Sequence, residues 1–342
     1  MEDIEMSEES PMNRGWGSEA APKTGWLRRT WETIIQSQAL VLLLFLIIIS
    51  TIIWLISPRF LEVGNLAVVT RQTSFIALVS LGQMLCLIAG VIDLSVGTTA
   101  GFAGICAALL MHNTTMNPYL AMACGLLVGA TVGLVNGLLV TRVKLNPFIT
   151  TLSMSFIISG LILVVTGGWA IPNLPESIQW LGKDSVGSVP VPTIVTLIVA
   201  VILAFVLNRT FIGRHIYAIG GNKDAALIVG IQVNRLTTLV YILSGTLSAL
   251  AGVLMLARLA SGQPTVGDTW LLPSFAAPIL GGAALNGGAG SVLGTLVGAL
   301  LMTVIQNAIV MTGMTVYWEN VVIGLVLVAA IVLDRVRTAK RG

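Results

Sequence analysis

Apolar runs of about 20 residues, parted only by brief clusters of Gly, Pro and polar residues, leave this chain few ways to fold. Each run has the length a helix needs to cross a hydrocarbon core roughly 30 Å thick at about 1.5 Å per residue. Inside lipid every backbone N–H and C=O must be paired within the protein, so only helices and closed barrels can span it. The alternating ten-residue segments of a barrel are absent. The residues are 56% hydrophobic and 10% charged, whereas about a quarter are charged in soluble domains. The fold class that follows is an all-α, polytopic integral membrane protein.

Ten segments are expected, at 39–57, 72–90, 95–111, 118–140, 147–166, 193–207, 236–256, 271–282, 292–312 and 318–333. The stretch at 59–71 reads as a short interfacial helix. Residues 271–282 are the weak point, being short and interrupted by Gly and Pro; a count of eight with re-entrant elements would keep the same orientation. Residues 1–37 form a largely disordered tail ahead of a transmembrane domain at 38–334, and 335–342 form a basic tail. There is no cleavable signal peptide, because no early apolar run exists.

Charge sets the orientation. With the N-terminus in the cytoplasm, only Arg59, Arg71, Lys183 and Arg258 of the eighteen Lys and Arg residues fall outside. That bias obeys the positive-inside rule and makes both termini cytoplasmic. It also makes the interruption at 208–235 cytoplasmic. This stretch carries Arg209, Arg214, Lys223 and Arg235, yet its middle is an apolar helix former, Ala225-Ala226-Leu227-Ile228-Val229. A solvated loop needs no such face, so a partner outside the membrane is expected to pack on it.

Little else in the sequence carries chemistry. Cys86, Cys106 and Cys124 lie in apolar segments at no metal spacing and read as packing residues. No metal site and no bound cofactor are expected. No Walker sequence occurs: the only Gly-Lys pair, Gly182-Lys183, is followed by Asp184. Glycine stripes at 125, 129, 133 and 137 and at 290, 294 and 298 read as close helix contacts. Asp93 is the one carboxylate at an apolar break in the first half; it is either functional or a cap for the helix that follows. Gln83, Asn136, Gln306 and Asn307, polar but uncharged at membrane depth, either line a path for a neutral polyhydroxyl solute or bond helix to helix. Ionisable groups at membrane depth are few, which argues against proton or sodium coupling. Gly90, Leu94 and Gly97 share the spacing of Gly281, Leu285 and Gly288, an echo expected to mark inverted repeats crossing in opposite directions.

Three motifs in order resemble the permease subunits of bacterial ABC importers of the ribose, xylose and arabinose type. They are Gly90-Val-Ile-Asp-Leu-Ser-Val-Gly97, with Gly90, Asp93, Ser95 and Gly97; the run from Gly213 through Gly221, Asn222, Ala225, Ala226, Gly230 and Ile231; and the turn with Gly281, Gly282, Gly287 and Gly288. The resemblance covers about 40–334. It implies a fold like the vitamin B12-type importers, a second permease subunit, identical or closely related, and a cytoplasmic ABC ATPase carrying ATP and Mg. It also implies a periplasmic or lipid-anchored solute-binding protein, a bacterial inner-membrane location amid lipid, and no nucleic-acid partner. Gly221 to Ile231 match the helix that docks on the ATPase. One departure is the run Trp270-Leu-Leu-Pro-Ser-Phe before Gly281, where the family usually has an acidic residue. The implied function is translocation of a monosaccharide or similar neutral solute, with other small solutes or a secondary carrier as the rival readings.

Overall fold

The computed structural model describes residues 38–315 and 317–339; the predicted tail at 1–37 and the end of the basic tail at 340–342 lie outside them. The chain begins with α1 (Gln38–Ile56) and a 3-10 turn (Pro58–Leu61), followed by α2 (Val63–Ile88), α3 (Val96–Asn113), α4 (Pro118–Thr141) and α5 (Pro147–Thr166). A loop holds a 3-10 turn (Glu176–Ile178), the short α6 (Trp180–Lys183) and a hairpin of β1 (Ser185–Val186) with β2 (Val189–Pro190). Then come α7 (Val191–Arg209), α8 (Phe211–Gly221), α9 (Lys223–Ile228), α10 (Val233–Leu259), α11 (Leu271–Leu280), α12 (Val292–Met311) and α13 (Trp318–Ala339).

Six of these, α2, α4, α5, α7, α10 and α12, are long and apolar enough to cross a membrane, and the protein is an all-α multi-pass membrane protein. Their starts are written locally. Asn117 and Asn146 each precede a proline; their side chains accept the N–H of Tyr119 and of Phe148, both at 2.9 Å, while the proline fills the first helical position at no hydrogen-bond cost. The expected interfacial helix at 59–71 is instead a 3-10 turn running into α2, since no proline interrupts the sequence from Val63 to Ile88. Similarly α13 continues to Ala339, past the predicted boundary at 334.

Two helices form the axis. The most apolar windows of α2 and α10 are 83% and 72% buried, against 22% for α5 and 28% for α7. The exposed faces of α5 and α7 carry Phe156, Val164, Val201 and Phe205, a surface suited to acyl chains. Around the axis, α10 packs on α4, α2 and α3, while α12 packs on α2 and α11. The glycine stripes are what bring these pairs together. A Cβ on Gly129 would meet the Gly245 carbonyl and Ala249, and one on Gly133 would meet the Tyr241 carbonyl. Gly294 and Gly298 stand in the same way against Gly281 and Ala277. Lipid provides no hydrophobic drive between helices, so such backbone approach supplies van der Waals contact instead.

The weak eighth segment is a short helix preceded by a run of turns. At ten residues α11 is about 15 Å long, too short to span alone. Ahead of it, residues 261–270 run without helix along α3: Gly262 lies against Ala108, Val266 against Gly101 and Gly267 against Gly97. Their backbone groups are met by local turns and by the paired bonds between Ile171 and Gly262, 2.8 and 2.9 Å. Non-helical chain at this depth requires such protein cover.

Candidate functional site

The interruption at 208–235 folds as two helices rather than one. Thr210 caps α8 by accepting the Gly213 N–H, and Asn222 caps α9 by accepting the Ala225 N–H at 2.9 Å. Ala226 faces inward, 3% exposed, and packs with Ile219 and Val233. Leu227, Ile228 and Val229 point away from the chain; Ile228 is 86% exposed and Val229 75%. Gly221, Asn222, Ala225 and Gly230 are exposed, Gly230 with φ +83° where α9 turns back toward α10, and Ile231 is half-buried. The predicted docking stretch is thus a short helix with a seated face and an unpaired apolar face. Tyr217, on α8, donates its hydroxyl to the Gly290 carbonyl at 2.8 Å, and burial pushes its phenol above the usual range.

Behind α8 the two remaining motifs converge. Helix α2 ends with Gly90 N–H bonded to the Leu87 carbonyl and Val91 N–H to Cys86; α11 ends with Gly282 N–H bonded to Ile279 and Ala283 N–H to Pro278. Gly90 (φ +73°) and Gly282 (φ +98°) occupy the left-handed position that closes each turn. The echo in the sequence is therefore a real repeat of geometry, but Gly90 matches Gly282 rather than Gly281. The expected inversion is wrong: Gly288 donates to the Ile88 carbonyl at 2.9 Å, so both turns lie at the same end and α2 and α11 run toward it together. Gly220 sits between them, where a Cβ would strike the Ile88 carbonyl and the Gly288 nitrogen, and Gly287 packs on it in turn.

Asp93 knots the break between α2 and α3. It is 1% exposed; Oδ1 accepts from the N–H and hydroxyl of Ser95 at 3.0 and 2.6 Å, and Oδ2 accepts from the Ser244 hydroxyl at 3.0 Å. Ser95 Oγ accepts from Asn136 Nδ2 at 2.9 Å, Tyr241 donates to the Ile92 carbonyl at 3.0 Å, and the Leu94 N–H reaches Thr151 at 3.0 Å. The break is thereby tied to α4, α5 and α10. The cap position of α3 belongs to Ser95, so Asp93 closes the turn before the helix rather than capping it. Gly97 keeps the space into which Gly267 packs.

The four uncharged polar residues separate into two pairs. Gln83 and Asn136 are wholly buried among the central helices, Asn136 serving the knot and the Gln83 amide without a protein partner. Gln306 and Asn307 stand at the opposite end of the bundle from α8 and α9, beside a cavity of about 350 Å³. Gln306 donates to Glu319 at 2.7 Å, and Asn307 exchanges two 3.0 Å bonds with Asn65. At this end also lie Arg71, bonded to the Lys183 carbonyl at 2.8 Å, and Arg258, bonded to Gln72 at 2.7 Å.

Sequence reasoning missed Gly220, Ser244, Trp270 and Gln72. A Gly-Gly pair closing a helix signalled the first; the others belong to unremarkable helical runs that only tertiary packing singles out.

A buried helical bundle, helix-joining glycine turns and a protruding amphipathic helix define a multi-pass helical membrane protein. The chain belongs to the family described as branched-chain amino acid transport system / permease component, which matches residues 65–331. It is 38% identical to the ribose import permease protein RbsC of Bacillus subtilis over 90% of this chain and 96% of that protein. It is 36% identical to the D-allose transport system permease protein AlsC of Escherichia coli, over 85% and 89% of the two chains. The L-arabinose transport system permease protein AraH of Escherichia coli is 34% identical over 83% and 87%. No solved structure matches.

Proposed function

We propose that this chain is the membrane-spanning subunit of an ATP-binding-cassette importer for a monosaccharide or similar neutral polar solute. The observation that carries the reading is the likeness to ribose, allose and arabinose permeases across most of the chain. Translocation proceeds by alternating access in a pair of permease subunits, driven by ATP and Mg on a separate ATPase and fed by a solute-binding protein. The chain itself carries no nucleotide site and is not an enzyme. It lies in the bacterial inner membrane with both termini cytoplasmic; the greater share of Lys and Arg at the end that carries α8 and α9, with Arg209, Arg214, Lys223 and Arg235 in 208–235 alone, supports that orientation over the Arg71, Lys183 and Arg258 of the other end.

The ATPase docks on α9. Leu227, Ile228 and Val229 are the apolar contact, and Gly221, Asn222, Ala225, Ala226, Gly230 and Ile231 shape and seat the helix that presents them. Changing Ile228 and Val229 together to Asp is expected to abolish co-purification with the ATPase while the permease still inserts and elutes as a folded species. Retained co-purification would sink the docking assignment, and ribose uptake by vesicles lacking any ATPase would sink the importer itself.

The family description favours one other solute class, a branched-chain amino acid. Such a zwitterion asks for fixed charges facing its ammonium and carboxylate; the knot at Asp93 has its carboxylate oxygens committed to Ser95 and Ser244, and the charges left to meet it are Glu319 and Arg258 at the other end. Competition of labelled ribose uptake by leucine separates the two.

A further inference from the structure

The cavity at the end opposite α9 has the composition of a small-molecule site. It measures about 350 Å³, within the roughly 300–1,000 Å³ of sites that hold small ligands. Its walls come from α2, α12, α13 and the junction where the turns at 261–270 lead into α11. Trp270 stands at that junction, 5% exposed and stacked on Phe75 with ring centroids 6.2 Å apart, so the aromatic wall is rigid.

The polar groups there are partly committed, and the remainder defines the ligand. Gln306 donates its amide to Glu319 Oε1, leaving the Gln306 oxygen and Glu319 Oε2 as acceptors. Gln72 takes the Arg258 guanidinium on its oxygen, leaving its own NH2 as a donor. Asn307 is held by Asn65 and serves as wall. Acceptors and a donor thus face one space, as a molecule with neighbouring hydroxyl groups requires, since each hydroxyl both gives and takes a hydrogen bond. A bare cation would meet a single carboxylate with the Arg258 charge directly behind Gln72; an anion would meet Glu319. Neither sign is compensated, and both fare worse than a neutral polyol. The unwound chain adds the usual context, for non-helical backbone at membrane depth occurs where it lines a cavity or is covered by protein.

We infer that this cavity is the entry site of the translocation path, where a neutral monosaccharide released to the permease is first held by Gln72, Gln306 and Glu319 against Trp270. The inference rests on the importer reading and specifies its outward-facing site. Gln83 and Asn136 take no part in it.

Two measurements on the complete importer in vesicles test it, with D-ribose as the probe. In the first, Glu319→Gln and Gln306→Leu are each expected to raise the half-saturating ribose concentration for uptake at least about tenfold, while Thr51→Ala on α1 transports like the parent. In the second, a cysteine replacing the exposed Thr269 is labelled by a membrane-impermeant maleimide, with the unsubstituted chain as background. Millimolar ribose is expected to slow that labelling at least threefold without ATP, and sorbose or leucine serve as comparison solutes. Unchanged half-saturation in both variants together with unprotected labelling overturns the inference. Ribose protection without uptake by the parent supports the cavity and overturns the importer reading instead. Uptake with neither effect keeps the importer and removes this site from its path.

Discussion

Asp93 is the residue on which the interior turns. A carboxylate this buried is tolerated only when its lone pairs are taken, and here Ser95 and Ser244 take both oxygens. Its position fixes where the chain leaves α2 and enters α3, so the group reads as a structural knot. Replacement by Asn keeps an acceptor for Ser95 and offers an amide that Ser244 can accept; replacement by Leu strands two hydroxyls and the Ser95 N–H. Asp93→Leu is expected to cost about 2–4 kcal/mol, from hydrogen bonds to a charged group and the polar atoms left unpaired. Asp93→Asn is expected to retain most of the stability and measurable uptake. Thermal unfolding of the detergent-solubilised protein, read beside vesicle uptake, checks both. A fully stable Asp93→Asn without uptake would show that the Asp93 charge takes part in transport and is more than a structural knot.

At the scale of elements, the interruption between α7 and α10 presents one face to its own chain and one to whatever docks on it, the proposed ATPase. The two faces of α9 do different work, and substitutions on them are expected to fail differently. Ala226→Asp puts a charge between Ile219 and Val233 and should unseat α9, raising proteolysis within residues 221–231 as well as losing the ATPase. Ile228→Asp puts a charge into water and should lose the ATPase with the cleavage pattern unchanged. Equal proteolysis of the two variants would contradict the two-faced helix. Nearly every helix of the domain was legible in the sequence, because apolar length, Asn-Pro starts and glycine ends are local signals. What was not legible depends on neighbours. The run of turns at 261–270 has no period of its own and is held by Gly97, Gly101 and Ala108. The likeness between Gly90 and Gly282 was visible as spacing, but its register and direction appear only once Gly288 bonds to Ile88. The site was legible to a lesser degree: Gln306 and Asn307 lie at the cavity, while Gln72 and Trp270 reach it from segments distant in sequence.

For the molecule as a whole, the question is how motion at α9 reaches helices that line a path across the membrane. Gly220 and Gly221 end α8, immediately before α9, and Gly220 is wedged between the turn after α2 and the turn after α11. Helix α2 belongs to the central axis and lines the outer cavity together with α12, while α11 begins directly after Trp270, which closes that cavity. A shift of α8 and α9 therefore acts on both at once through backbone contacts, with no long side chain to absorb it. Ligand-driven alternation needs such a stiff link, because the ATPase can bias the permease only through contacts that differ between its two states. Gly220→Val places two methyl groups where the Ile88 carbonyl and the Gly288 N–H now meet, prising the turns apart. The exposed face at Leu227, Ile228 and Val229 is untouched, so the ATPase should still bind. Sugar moved per ATP hydrolysed is expected to fall at least about tenfold, since less of each ATPase stroke reaches the turns after α2 and α11. The ratio of ribose uptake to phosphate release in vesicles measures it. A variant that keeps the parental ratio would show that the ATPase drives the membrane helices by a route that bypasses the glycine junction.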